Sequence, residues 1–386
     1  MKYDVVIVGA GFAGATVANA FLKANKEVLL IEKRSHIGGN AYDEMEDGVL
    51  VHEYGPHIFH TNSDEVMEYL SQFSDFYEYR HKVLGHIKDK VVPIPFNLTS
   101  LEECFEAEKA ARIKERLIDT YGFGNKVTIS ELRKNDDPDV KELAEFVFEN
   151  VFKHYTMKQW GYTVEELDPA VIARVPVNIS YDDHYFVDKY QCMPKEGYTK
   201  IFEKMLDSIN LKLMLNTEAK DVIKLDEKEH KVYVEGELYE GPIVYTGAVD
   251  ELLDYKFDDL PYRTLDLVKH RVIGTYQKGA VENYGTPKEV NAFTRITEYK
   301  HFMESCHSYY SYIHKEYPLQ YQRGLGFTPY YPINNEANQK QYDKYVEEVK
   351  KYNNIYLLGR LAEYKYYNMD QIILKALELS RELLNK

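Results

Sequence analysis

Gly9-Ala-Gly11-Phe-Ala-Gly14 follows a near-continuous apolar run at residues 3 to 8 and opens a helix-length stretch, after which a second apolar run, Val28 to Ile31, ends in Glu32. Each part of this pattern has a physical task. Gly9 permits a tight turn, and Gly11 lets backbone N–H groups approach a pyrophosphate at the helix N-terminus. Gly14 lets helix and strand pack closely, and Glu32 can accept hydrogen bonds from ribose hydroxyls. A glycine motif alone is weak evidence. With strand, helix and acid in register about twenty residues apart, the context predicts a dinucleotide-binding βαβ unit over the first forty residues.

Just past the acid stand Glu32-Lys33-Arg34 and then Ile37-Gly38-Gly39-Asn40. A second glycine pair there resembles the extended fingerprint of the large FAD family that includes amine oxidases, and implies FAD rather than NAD. Near the C-terminus an apolar run, Ile355 to Leu358, ends at Gly359-Arg360. A helix follows whose start carries Asn368 and Gln371 at capping-box spacing. In that FAD family this second helix N-terminus points at the flavin end.

Between these ends, Leu101 to about Gly122 reads as helix from its Glu/Ala/Lys/Arg content. A second helix starts with Asp137 as cap and Pro138 in the first turn. Val140, Leu143, Ala144, Val147, Phe148, Val151, Phe152 and Tyr155 then recur at i, i+3, i+4 spacing. Segments 211 to 217, 231 to 235, 272 to 277 and 308 to 313 are short, β-rich and partly alternating, and read as antiparallel strands. The expected fold is α/β: a Rossmann-like FAD-binding domain (1–75, about 190–250 and 340–386), a helical-bundle insertion (about 98–165) and a mainly antiparallel β-sheet domain (about 76–97 and 255–335).

The net charge of −15, from 48 basic and 63 acidic residues, argues against a nucleic-acid binder; an anionic ligand must be held by a few placed arginines. No stretch approaches the roughly 20 apolar residues of a membrane span, and no signal peptide is evident, so the cytoplasm is the expected compartment. Cys104, Cys192 and Cys306 are too scattered for a disulfide framework. His57 and His60 stand at i, i+3, but no carboxylate or cysteine lies at ligand spacing, so no metal is expected. The 35 tyrosines suit a site for sugars and nucleotides, although most are expected simply to pack.

At Tyr54-Gly-Pro-His-Ile-Phe-His60-Thr and Tyr155-Thr-Met-Lys-Gln-Trp160-Gly the sequence resembles the UDP-galactopyranose mutases. The likeness continues through Arg174-Val-Pro, Tyr181-Asp-Asp-His-Tyr185-Phe, Met193-Pro-Lys-Glu-Gly-Tyr, Tyr262-Arg263-Thr-Leu-Asp, Thr294-Arg295-Ile-Thr-Glu298, Tyr330-Tyr331-Pro-Ile and Gly359-Arg360-Leu. What the resemblance implies is an isomerase interconverting UDP-galactopyranose and UDP-galactofuranose, which supplies galactofuranose for cell-surface glycans. It implies reduced FAD, whose N5 attacks the anomeric carbon, expels UDP and forms a covalent flavin–sugar adduct that opens and recloses. A reductant for the flavin and a homodimer are further implications.

The same resemblance assigns residues. Arg174 and Arg295 match the pyrophosphate-binding arginines, with Arg174 on a mobile segment, 163 to 180, that closes over substrate. A guanidinium suits this task because it stays charged and grips phosphate oxygens bidentately. Tyr155, Trp160 and Tyr185 match the nucleotide side of the site, Tyr331 and Tyr366 match tyrosines whose hydroxyls reach the diphosphate, and Phe152, Thr156 and Asn283 complete the substrate set. For FAD the set is Gly9, Gly11, Phe12, Gly14, Glu32, Lys33, Gly39, Asn40, His60, Arg360, Tyr366, Asn368 and Met369. His60 is assigned beside the flavin and His57 to structure. One departure stands out: family members often carry Asp where this chain has Asn368, which removes an anion near the diphosphate. An amine-oxidase-like FAD oxidoreductase or a flavin sensor shares the glycine motifs, but neither has a use for two arginines set for a diphosphate.

Overall fold

The computed structural model describes residues 2–161, 163 and 176–385. A five-stranded parallel sheet runs in the order Leu211–Met214, Val28–Ile31, Val5–Val8, Ile243–Tyr245, Ile355–Leu357. Val5 to Val8 are buried throughout, as a central parallel strand covered on both faces requires. Their side chains alternate between two cores. Val5 and Ile7 join the cluster under the helices Phe12–Lys23 and Met369–Leu384, while Val6 and Val8 meet Val232, Val234 and Tyr239 of the small sheet on the other face. Segment 211 to 217, expected to be antiparallel, is instead the edge of this parallel sheet, over Leu211–Met214. An edge strand keeps one flank in solvent, and Lys212 and Leu213 are exposed, which gives the mixed pattern of an antiparallel strand.

A seven-stranded sheet forms a second layer, in the order Tyr331–Pro332, Tyr262–Ile273, Tyr310–Gln320, Arg295–Glu298, Val281–Tyr284, Val83–Ile87, Lys90–Ile94. It is antiparallel apart from the pairing of Val281–Tyr284 with Val83–Ile87. Two short strands expected at 272–277 and 308–313 are the ends of much longer ones, paired from Arg263 opposite Gln320 to Ile273 opposite Tyr310. Lys269, His270 and Arg271 interrupt the apolar pattern without interrupting the ladder, since Lys269 reaches Glu46 and Glu53 and Arg271 lies over the Tyr310 ring.

The helical part holds Leu98–Cys104 and Ala107–Tyr121, split at the extended Phe105, and then Pro138–Val147, capped by Asp137, whose carboxylate accepts from Asp139 N at 2.9 Å. Leu101, Ile113, Leu117, Val140, Leu143 and Val147 close its core. The apolar stripe does not continue as one α-helix. Phe148–Lys153 is a π-helical turn, and the α form resumes only over His154–Trp160. A π turn advances each residue by less than 100°, so it rotates the face that follows. Phe152 stays with the helical core, whereas Tyr155 turns away into a cavity.

Candidate cofactor and active site

The glycine turn, the end of strand Val28–Ile31 and the start of helix Met369–Leu384 open on one cavity of about 600 Å³. Gly9 has φ +98°, and a Cβ on Gly14 would overlap the Gly9 carbonyl oxygen. Gly14 therefore closes helix on strand and does not itself line the cavity. Glu32 is 6% exposed. Its Oε2 accepts from Ala10 N at 2.8 Å and its Oε1 from Arg34 N at 2.9 Å, which pins the carboxylate between turn and strand end. Each oxygen keeps a second lone-pair direction for a ribose hydroxyl.

Arg34, to which no sequence motif gives a role, is the strongest single indicator of an anionic ligand. Its Nη2 donates to Asn40 Oδ1 at 2.8 Å and its guanidinium lies 4.1 Å from the Tyr54 ring centre, yet Nη1 is buried with no hydrogen-bond partner among the described residues. A buried donor left unmade costs about 1–3 kcal/mol, more on a charged group; a phosphate oxygen would relieve it. At the other end, Arg360 donates to two carbonyls, Tyr367 O at 2.7 Å and Tyr330 O at 3.3 Å. Its charge is thus held in place rather than neutralised. Asn368 begins the last helix, its N–H donating to Gln371 Oε1 at 2.9 Å. Phe12, Lys33, Gly39, Asn40, Arg360, Asn368 and Met369 all line this cavity, as do Gly9, Gly11 and Glu32. A long cleft with a helix N-terminus at each end, an acid at the ribose position and an orphaned guanidinium fits FAD.

A second cavity of about 310 Å³ adjoins the first and shares Asn40, His57, Tyr330, Arg360, Asn368 and Met369 with it. It gathers His60, Tyr155, Tyr185, Asn283, Arg295, Tyr331 and Tyr366 from segments far apart in sequence. Asn283 and Arg295 stand directly opposite each other on neighbouring strands. Asn283 Oδ1 is buried and unpartnered among the described residues. Arg295 Nε is 2.7 Å from Glu316 Oε2. Burial alone would pull the guanidinium down, but the Glu316 carboxylate outweighs it and holds Arg295 above its usual range. Burial likewise raises the Tyr155 and Tyr331 phenols, keeping both as neutral hydroxyls. His60 Nδ1 lies 3.0 Å from Asp188 Oδ2, with its ring stacked 3.8 Å from that of Phe186.

The remaining predicted residues fall elsewhere. Phe152 packs on the helical core, Thr156 is buried, and Trp160 is half-buried; none of the three lines this cavity. Arg174 and most of the segment 163 to 180 lie outside the described residues. His57, expected to be structural, lines both cavities, and burial lowers it to about 4, so it is neutral. His81 joins it in the second cavity, lowered to about 3. The burial that lowers them is set by the fold, and residue type alone announces it for neither.

A family model described as UDP-galactopyranose mutase matches residues 150–366, and an NAD(P)-binding Rossmann-like domain model matches 7–73. The chain is 34% identical over 392 residues to the UDP-galactopyranose mutase of Mycoplasma genitalium, covering 100% of this chain and 95% of that one. To a dTDP-fucopyranose mutase of Escherichia coli it is 32% identical, covering 98% and 97%. A crystal structure of a reduced UDP-galactopyranose mutase superposes with a TM-score of 0.72 at 16% identity, over 100% of this chain and 94% of that one. A likeness to (S)-6-hydroxynicotine oxidase of Paenarthrobacter nicotinovorans, 29% identical, spans 24% of each chain, as sharing a cofactor domain would give. FAD is the cofactor, which the first cavity is fitted to take, and the chain belongs to the UDP-galactopyranose mutase family.

Proposed function

We propose that this chain interconverts the pyranose and furanose forms of a nucleoside-diphosphate hexose, with UDP-galactose as the first substrate to test. The observation that carries the reading is the second cavity: Arg295 braced by a buried glutamate, among tyrosines, where the lining meets Arg360 and Met369 of the FAD cleft. When bound and reduced, FAD supplies an electron-rich ring nitrogen as nucleophile toward the anomeric carbon. The protein's own part is to hold, orient and keep dry. Arg295 takes the charge that grows on the departing diphosphate, a role worth about 2.7–4 kcal/mol for one good donor. Tyr331 and Tyr366 donate hydroxyls to the same oxygens, and Arg174 is assigned as the second phosphate-binding arginine. Tyr155 and Tyr185 offer ring faces to the nucleobase. Asn283 Oδ1 accepts from a sugar hydroxyl.

The reading extends to a cytoplasmic homodimer, a cellular reductant that keeps the flavin reduced, and galactofuranose supplied to surface glycans. Among the described residues no helix is long and apolar enough to cross a membrane. Incubation of the purified flavoprotein with UDP-galactofuranose, with and without dithionite, followed by chromatography of the sugar nucleotides, tests the activity. Formation of UDP-galactopyranose only under reduction is expected. A parallel incubation with dTDP-fucopyranose distinguishes the two activities named among the relatives; no interconversion of either substrate under strict reduction overturns the reading.

A further inference from the structure

Lys158 stands on the same short helix as Tyr155, Thr156 and Trp160, yet it lines neither cavity. It is 8% exposed, and its Nζ donates to three backbone carbonyls: Tyr284 O at 2.8 Å, Asn291 O at 3.0 Å and Phe293 O at 2.8 Å. An ammonium has three N–H donors, so every one is used. No carboxylate pairs with it among the described residues. A lysine buried without a carboxylate is uncommon, because desolvating a lone cation is costly. The position of the acceptors explains the expense. Asn283 and Arg295 face each other across the hairpin formed by Val281–Tyr284 and Arg295–Glu298. Tyr284 and Phe293 lie where the hairpin loop leaves that pair.

We propose that Lys158 is a positioning residue whose ammonium fastens the helix carrying Tyr155 and Trp160 to the mouth of the hairpin carrying Asn283 and Arg295. The aromatic and cationic sides of the second cavity thereby keep a fixed separation. The arrangement makes this fastening depend on one proton. Burial lowers Lys158 to about 8. Without its proton the group has two donors instead of three and no charge, so one carbonyl loses its partner and the other bonds fall to neutral strength.

The charged and titratable groups around it are few. His154, one turn back on the same helix, is lowered by burial and feels the field of Glu289 in the hairpin loop. The Arg263 guanidinium on strand Tyr262–Ile273 donates to Gln159 O at 3.0 Å and to Lys158 O at 3.4 Å. Burial raises the Tyr284 phenol to about 12 and moves Tyr155 well above its usual range. These shifts leave the window around pH 8 to Lys158.

The effect on substrate rests on the nucleotide-sugar reading of the cavity; the fastening itself does not. Trp160 is the only tryptophan in the chain and sits two residues from Lys158, so its emission reports the helix directly. Emission of the purified flavoprotein is followed from pH 6.5 to 9.5, and UDP binding is measured calorimetrically over the same range. The wild type is expected to show a one-proton emission change with its midpoint near 8, and UDP binding about tenfold weaker above it, the size of one lost hydrogen bond. Lys158→Arg, which stays charged, and Lys158→Met, which has nothing to titrate, should both give flat emission. A flat wild-type trace, or the same transition in either variant, overturns the proposal. A transition confined to the wild type, with no UDP bound by any form, upholds the fastening and overturns the nucleotide-sugar reading.

Discussion

Replacing Arg295 by Met should damage the protein in two separable ways. Glu316 is 1% exposed, and its Oε2 lies 2.7 Å from Arg295 Nε, while among the described residues its Oε1 accepts only a 3.3 Å bond from Thr297 Oγ1. Removing one partner of a buried pair costs about 3–5 kcal/mol, because the remaining charge is left in low dielectric. Arg295 is itself half-buried and opens on the cavity, which allows water to reach the site. The lower end, about 3 kcal/mol, is therefore expected. Adding Glu316→Gln removes the stranded charge and should recover most of that loss. The same double variant still has no guanidinium for a diphosphate, and a charge-assisted hydrogen bond is worth about 1.5–3 kcal/mol, roughly 10- to 150-fold in affinity. Urea unfolding and UDP calorimetry on the wild type, Arg295→Met and Arg295→Met/Glu316→Gln separate the two effects. Stability should fall and then return, while UDP binding falls and stays low. A single variant with the wild-type urea midpoint would refute the buried-charge argument, and a double variant with wild-type UDP affinity would refute the phosphate role.

Gly14→Ala should prevent the N-terminal unit from forming, since its Cβ meets the Gly9 backbone oxygen; Gly11→Ala, with φ −80° and its nearest neighbour at 3.6 Å, should fold and yet lose FAD. Soluble yield and flavin content distinguish them, and equal behaviour of the two would contradict the assignment. Arg34→Met should keep the fold and weaken FAD retention by at least tenfold, as read by flavin released on dilution, because the buried Nη1 has no partner among the described residues. Stability should decline as the medium is acidified from about pH 6.5 to 4. Burial lowers His52, His81 and His314 to about 3 and His57 to about 4, so over that interval the unfolded chain binds protons that the folded chain refuses, at up to about 1.4 kcal/mol per pH unit for each histidine. The urea midpoint should drop between pH 7 and 5, and less steeply in His52→Phe; an unchanged midpoint would show that these rings are not buried neutral.

The parts of the fold legible in the sequence are those where one residue type answers one backbone requirement. Gly14 admits no side chain, Val5 to Val8 are apolar because both faces are covered, and Asp137-Pro138 caps a helix whose first N–H groups have no other partner. The lining of the second cavity was legible in part, through Tyr155, Tyr185, Asn283, Arg295, Tyr331 and Tyr366, by family likeness more than by spacing. Phe152, Thr156 and Trp160 show the limit of that route. Sequence says which aromatic residues a helix carries, but the π turn at Phe148–Lys153 decides which way they face, and no composition signal announces a π turn. Similarly, the polar stretch at Lys269 to Arg271 hid a continuous ladder because its partners, Glu46, Glu53 and Tyr310, are remote in sequence.

The order of strands in the parallel sheet has a consequence for the birth of the protein. Val5–Val8 is flanked by Val28–Ile31 and Ile243–Tyr245, and the sheet is finished only by Ile355–Leu357, after which helix Met369–Leu384 packs on helix Phe12–Lys23. At about 5–20 residues per second of translation, roughly 16–65 s pass between the emergence of the second strand and that of the last. During that interval the first helix packs on segments such as Tyr198–Met205, but the face that Met369–Leu384 covers stays open, and the cleft lacks Arg360 and Met369. A cofactor that relies on Arg360 and Met369 therefore cannot stabilise the nascent chain before those residues have emerged, long after the first strand, helix and second strand have been made.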